Sequence, residues 1–207
     1  MPRPAGCDLL GPARGLCASC VLSPREVERV RAAVVYDDLA RSFLLRAKVG
    51  ARRDLLRPIG SQMAALARAD GIGKGCVAVI PAPSHPWNDL RRGFSPSATL
   101  ARQVASSLGI PLLSGVLGRR FGLRPPSTRS RGRLRRDSAA TIRLKAPLRC
   151  HPGPVLLVDD VMTTGETVEA CARALKKGGA DRVRALVWAR TLPDRRQNRH
   201  GLPHQDA

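Results

Sequence analysis

Apolar positions along the 207-residue chain follow two periods, and the change from one to the other marks out its elements. Val155-Leu156-Leu157-Val158 is a continuous apolar run that ends in two adjacent carboxylates, Asp159 and Asp160. Such a run, bounded by polar residues, predicts a strand buried on both faces in the middle of a parallel sheet. After a short polar loop, Val168, Cys171, Ala172 and Leu175 recur at helical spacing, which predicts a helix over Glu166–Lys177 stopped by Gly178-Gly179. Val183–Ala189 is again apolar and completes a strand–helix–strand crossover, which is right-handed by rule.

The earlier half repeats the scheme. Ser23, Pro24 and Glu26 form a helix-start signal, and Val30–Tyr36 reads as a strand. Helices follow over Asp38–Lys48 (Leu39, Phe43, Leu44, Ala47) and Leu55–Arg68 (Leu56, Ile59, Met63, Leu66, Ala67). Cys76–Ile80 is a second buried strand. A stiff Pro81–Pro86 turn, the stretch Trp87–Gly93 and a Pro96–Leu108 helix come after it. Ile110–Leu117 reads as a short strand, and Phe121–Arg136 has no period at all. The fold class is therefore α/β: a central, mainly parallel sheet flanked by helices.

The loop after Asp160 carries chemistry. Thr163, Thr164 and Thr167 bring hydroxyls, Gly165 lets backbone approach a ligand closely, and Glu166 opens a helix whose first N–H groups are unpaired. These make a phosphate cradle. Adjacent carboxylates repel unless a cation or a polyol takes up their charge, so a ribose 5-phosphate pocket with a Mg²⁺ site is the chemistry that fits. An ordinary buried strand followed by a capped helix is the plain alternative, and two unpaired terminal aspartates count against it. Gly71–Gly75 is no P-loop, because the GK[ST] spacing is missing.

Composition adjusts this picture. A net charge of +20 with 36 Lys and Arg invites a nucleic-acid partner, yet only 3% of residues are aromatic, which leaves few stacking platforms for single strands. A basic chain also suits a polyanionic small ligand. No run of about 18 apolar residues exists, so no membrane span is expected; without an apolar leader, cytoplasmic location is the expectation. Cys7, Cys17 and Cys20 lie in a Gly/Pro-rich stretch over residues 1–22. Cys17 and Cys20 have the spacing of half a zinc knuckle, but Leu10 stands where the other half needs a cysteine. Both a Zn²⁺ site completed from elsewhere and a metal-free tail remain open. Cys76 and Cys171 read as core thiols, and residues 193–207, with His200 and His204, as a polar tail.

The stretch VLLVDDVMTTGETV resembles the phosphoribosyl-pyrophosphate (PRPP) signature of type I phosphoribosyltransferases. The resemblance implies that Asp159 and Asp160 hold the ribose hydroxyls and Mg²⁺, and that Thr163, Thr164, Gly165, Glu166 and Thr167 hold the 5-phosphate. Over residues 7–191 the chain is similar to the ComF family, phosphoribosyltransferase-like proteins tied to bacterial competence. Val79-Ile80-Pro81-Ala82-Pro83-Ser84-His85 and Arg92-Gly93-Phe94-Ser95-Pro96-Ser97 carry this likeness. By that resemblance Pro83, Ser84, His85, Arg91 and Arg92 are pyrophosphate partners. The two arginines also read as solvated charges, and His85 as an acid–base or a structural residue. The Arg-rich stretch 121–136 takes the place of a closing loop, or is a basic linker. Ser95 and Pro96 replace the family's Asn and Gln, and the missing knuckle cysteine is a second departure; both bear on whether function is retained.

The implied organisation is a knuckle-like segment over 1–22, a phosphoribosyltransferase-like domain over 23–192 and the tail. The implied function is Mg²⁺-dependent transfer of a phosphoribosyl group from PRPP to an unidentified acceptor, releasing pyrophosphate. The alternative is a non-catalytic protein that binds PRPP or a nucleotide, or that handles single-stranded DNA with competence proteins.

Overall fold

The computed structural model describes residues 25–49, 52–84, 86–119, 142–146, 148 and 153–191. The cysteine segment, His85, the stretch 121–136 and the tail therefore lie outside the described residues. The elements are β1 (Arg29–Val35), α1 (Asp38–Val49), a 3-10 turn (Arg53–Leu55), α2 (Leu56–Asp70), β2 (Ala78–Pro81), α3 (Pro86–Arg92) and α4 (Pro96–Leu108). A hairpin of β3 (Leu117–Arg119) and β4 (Ile142–Leu144) follows, then β5 (Pro154–Met162), α5 (Glu166–Lys177) and β6 (Arg182–Arg190).

Four strands form one parallel sheet in the order β1-β6-β5-β2. The apolar run of β5 is at its middle, paired with Val183–Leu186 on one side and Ala78–Pro81 on the other. Alternation along β5 splits the core in two. Val155 and Leu157 face α5 and the hairpin in one cluster. Leu156 and Val158 face α1, α2 and α4 in the other. All four are fully buried, which is why this strand reads as continuously apolar rather than alternating. Among the described residues no helix is long and apolar enough to cross a membrane.

Three expectations change. No helix forms at Arg25–Glu28: Val27 is buried, Val30 and Ala32 alternate into the core of β1, and the chain runs straight into that strand, while Glu26 donates its backbone N–H to Glu169 at 2.8 Å. The strand expected at Ile110–Leu117 shrinks to one bridge, Leu112 to Val79, before Gly115 turns the chain at φ +81°. Pro111, which has no N–H, contributes only its carbonyl to Val79. Trp87–Gly93, read without an element, is mostly the short helix α3, with Pro86 at its first position.

Ser95 and Pro96, the departures from the ComF pattern, start α4. Ser95 Oγ accepts from Ala98 N at 3.4 Å and Pro96 takes the first helical position, where a missing N–H costs nothing.

Candidate functional site

β5 and β2 end side by side, so the loops after them meet at the carboxyl edge of the sheet, where open α/β folds bind ligands. The loop after β5 is built as the sequence suggests. Thr163 and Thr164 are exposed, and Gly165 is buried at φ +84°. No side chain caps the start of α5, which leaves its first N–H groups to a ligand. Glu169 would oppose an anion there, but it accepts from the N–H of Glu26 and pairs with Arg25 at 3.4 Å. Thr191 fixes the loop from β6, its Oγ1 donating to Thr163 O at 3.1 Å. A Cβ at Gly165 would come within 2.8 Å of Met162 Cε. Gly165→Ala is therefore expected to cost about 1–2 kcal/mol, the usual penalty for a side chain in the left-handed region, read as a shift in urea midpoint.

The two carboxylates separate to the two sides of the sheet. Asp159 lies on the side of α5, where its charge is felt by Cys171 and where Arg119 stands near. Asp160 lies on the side of α1, with its Oδ2 2.6 Å from the ammonium of Lys48. Burial, and then the neighbouring Asp160 charge, push the Asp159 carboxyl up from 3.8 to about 7. The N–H of Asp160, which donates to Asp159 Oδ1 at 2.8 Å, and the positive charges of Lys48 and Arg119 act against that rise. Burial and the same Asp159 charge push the Cys171 thiol up, so it stays protonated in the core.

Among the described residues no three His, Cys, Asp or Glu side chains gather into a metal-sized group. The donor set therefore fits Mg²⁺ in one way: one or two carboxylates from the chain and the remaining oxygens from water and a phosphate ligand, as this hard, octahedral ion prefers.

Beside this pair, a cleft of about 600 Å³ opens between the loop after β2, α3 and the hairpin. Pro83 and Ser84 line it. Arg91 is exposed at the end of α3, and neither it nor Arg92 is part of the lining. Arg119, at the end of β3, and Lys145, just after β4, bring cations to its lining. Arg119 also donates to Pro83 O at 2.8 Å, tying the hairpin to the loop. A row of hydroxyls holds the loop to α4: Ser84 donates to Asp89 at 2.5 Å, Ser95 is 2.8 Å from Ser84, and Ser97 donates to Ala82 O at 2.7 Å.

Sequence reasoning missed Arg25, Lys48, Arg119 and Lys145. Only Lys48 left a usable signal. It sits four residues after Leu44, so it continues the buried row Ala40, Leu44 at a place where a lysine needs a partner.

Residues 91–202 match the phosphoribosyl transferase domain family, which agrees with the parallel sheet and with the loops brought together at its edge. The chain belongs to that family. As the ComF resemblance implied, it is similar to Competence protein F of Haemophilus influenzae, 31% identical over 116 residues, or 54% of this chain and 48% of that one. It is also similar to the DNA utilization protein YhgH of Salmonella typhimurium, 33% identical over 118 residues, or 55% and 49% of the two chains. The chain thus spans about half the length of these relatives. Among solved structures it is similar to a purine phosphoribosyltransferase from Pyrococcus horikoshii, with a TM-score of 0.39 and 18% identity over 65% of this chain and 81% of that one. The corresponding values for the hypoxanthine phosphoribosyltransferase of Trypanosoma cruzi are 0.40 and 14%, over 69% and 75%.

Proposed function

We propose that the protein binds PRPP with Mg²⁺ and transfers its phosphoribosyl group to an acceptor. The observation that carries this reading is the juxtaposition at the end of β5: two adjacent, partly buried carboxylates followed by a threonine loop and an uncapped helix start. In this reading Thr163, Thr164, Gly165, Glu166 and Thr167 surround the 5-phosphate with hydroxyls and N–H groups, and Arg25 adds charge from the side. Asp159 and Asp160 accept the ribose hydroxyls and hold the cation, which would neutralise charge on the pyrophosphate. Ser84, Arg119 and Lys145 face the pyrophosphate from the neighbouring cleft, where cations aimed at developing charge do most for the rate.

In the reaction the C1–O bond to pyrophosphate breaks, with its electron pair leaving on pyrophosphate. A bond forms from C1 to the acceptor's nucleophilic atom, and the acceptor's proton passes to the leaving pyrophosphate or to water. The sugar ring becomes cationic on the way, which the remaining negative charge of the acidic pair favours. The test is pyrophosphate release from PRPP across a panel of nitrogenous acceptors. Release above the background rate in the wild type, lost in Asp160→Asn, is the expected result. Release that is equal in the two proteins would remove the acidic pair from the chemistry.

One observation favours the second reading, a protein that handles single-stranded DNA, and one of the relatives is named a DNA utilization protein. α2 and α4 flank a groove of about 680 Å³ lined by Arg53, Arg57, Arg68 and Arg102 together with Ser61, Ser106 and Ser107. No aromatic residue lines it, so contacts there would go to phosphates and not to bases. If DNA lies there, Arg57→Gln/Arg102→Gln lowers the slope of log affinity against log salt by about 1.4, at about 0.7 for each lost single-strand phosphate contact. Fluorescence anisotropy with an oligothymidylate reads it, and an unchanged slope would place DNA elsewhere.

A further inference from the structure

α1 delivers one cation into the acidic end of β5. The helix buries Ala40, Leu44 and Ala47, and Lys48 follows in its last turn. The ammonium ends 2.6 Å from Asp160 Oδ2, with the two side chains only 20% and 14% exposed. This is a charge-assisted hydrogen bond with limited access for water. Asp160 is one of two carboxylates at this place, and no third metal-ligating side chain joins them among the described residues. A free divalent cation arriving at Asp160 must therefore displace an ammonium already in position. In return it gains at most two protein carboxylates and must keep water for the rest of the six or so oxygens it prefers. A cation that arrives on a diphosphate brings its own oxygens. It also brings negative charge to receive the displaced ammonium, which the flexible four-carbon stem of lysine can carry across.

We propose that Lys48 is the resident counter-cation of Asp160: it closes the acidic pair to free divalent cations, admits metal only together with a phosphate-bearing ligand, and then moves from Asp160 to that ligand. The identity of the ligand rests on the PRPP reading, while the exchange at Asp160 rests on the Lys48–Asp160 pair alone. Two other cations near the site have different attachments: Arg25 pairs with Glu169, and Arg119 binds the carbonyl of Pro83. Lys48 instead makes its ion pair at 2.6 Å with a candidate metal ligand, Asp160.

The experiment titrates Mn²⁺ alone, as a paramagnetic stand-in for Mg²⁺, into the full chain and follows the resonance of unbound Mn²⁺. The proteins are the wild type, Lys48→Gln, Lys48→Arg and Lys48→Gln/Asp160→Asn. Lys48→Gln is expected to bind one Mn²⁺ at least tenfold more tightly than the wild type and Lys48→Arg, and the double variant is expected to lose that gain. Affinities of wild type and Lys48→Gln within twofold of each other would overturn the proposal, as would a gain that persists without Asp160. A second arm titrates PRPP with Mg²⁺, and Lys48→Gln should bind it at least tenfold more weakly. If Lys48→Gln gains free Mn²⁺ but binds PRPP as the wild type does, the transfer of Lys48 to the ligand is overturned. A wild type that binds no PRPP would overturn the functional reading and leave the metal arm to decide the role of Lys48.

Discussion

Asp159→Asn is expected to make the protein more stable at pH 8 while weakening PRPP binding by about 10–100-fold, the range for losing a hydrogen bond to a charged group. The stability half follows from the raised carboxyl. Burial and Asp160 lift Asp159 to about 7 in the folded chain, against an ordinary value of 3.8. Between those two values the folded state holds a proton that the unfolded state has released, so stability falls as pH rises through this window. Below about pH 4 both states are protonated and the group contributes nothing; above about pH 7 the cost is complete. Asparagine removes the charge and keeps an oxygen to accept from the N–H of Asp160. The charged and titrating groups facing this position are Asp160, Lys48, Arg119 and Cys171, and all remain in the variant. At 1.36 kcal/mol per unit, reduced because the carboxylate is only half-buried at the cleft, the gain at pH 8 is about 1–3 kcal/mol. Thermal melts in chelator at pH 4.5 and pH 8 measure it: the gap between the two proteins is small at the lower pH and widens at the higher. Such an exchange of stability for function is the pattern of a binding site under strain.

Leu157→Ala is expected to cost about 2–5 kcal/mol, a large part of the 5–15 kcal/mol that holds an ordinary domain together. Leu157 is fully buried in the middle strand, two residues before Asp159, and packs in the cluster that contains Val168, Cys171 and Leu175 of α5. Its truncation leaves a cavity beneath the helix whose start forms the proposed phosphate loop, so PRPP affinity is expected to fall along with stability. Leu39→Ala is the comparison. Leu39 is 79% exposed on α1, and its loss should stay within about 0.5 kcal/mol. Urea denaturation of both variants gives the contrast.

The central strand, its acidic end and the threonine loop were legible because each depends on a short stretch of chain. Val155–Val158 is apolar without interruption, and Gly165 stands where backbone takes a positive φ. The loop after β2 was legible for the same reason, since its prolines restrict it locally. Contacts across long sequence separations were not. Arg119 and Lys145 come from a hairpin whose strands are three residues each and whose connection spans 120–141, too short for a period and too long for a turn signal. The pairing of Arg25 with Glu169 joins positions 144 residues apart. The helix signal at Ser23–Glu26 failed because burial of Val27 and Val30 in the sheet outweighs a local start preference.

Calorimetric titration of the protein with PRPP in the presence of Mg²⁺, beside Asp159→Asn/Asp160→Asn, addresses the acidic pair and its loop together. Saturable binding of one PRPP per chain in the wild type, absent in the folded double variant, is the expected result. A folded wild type that gives no heat of binding at millimolar PRPP, or a double variant that binds as the wild type does, would contradict it.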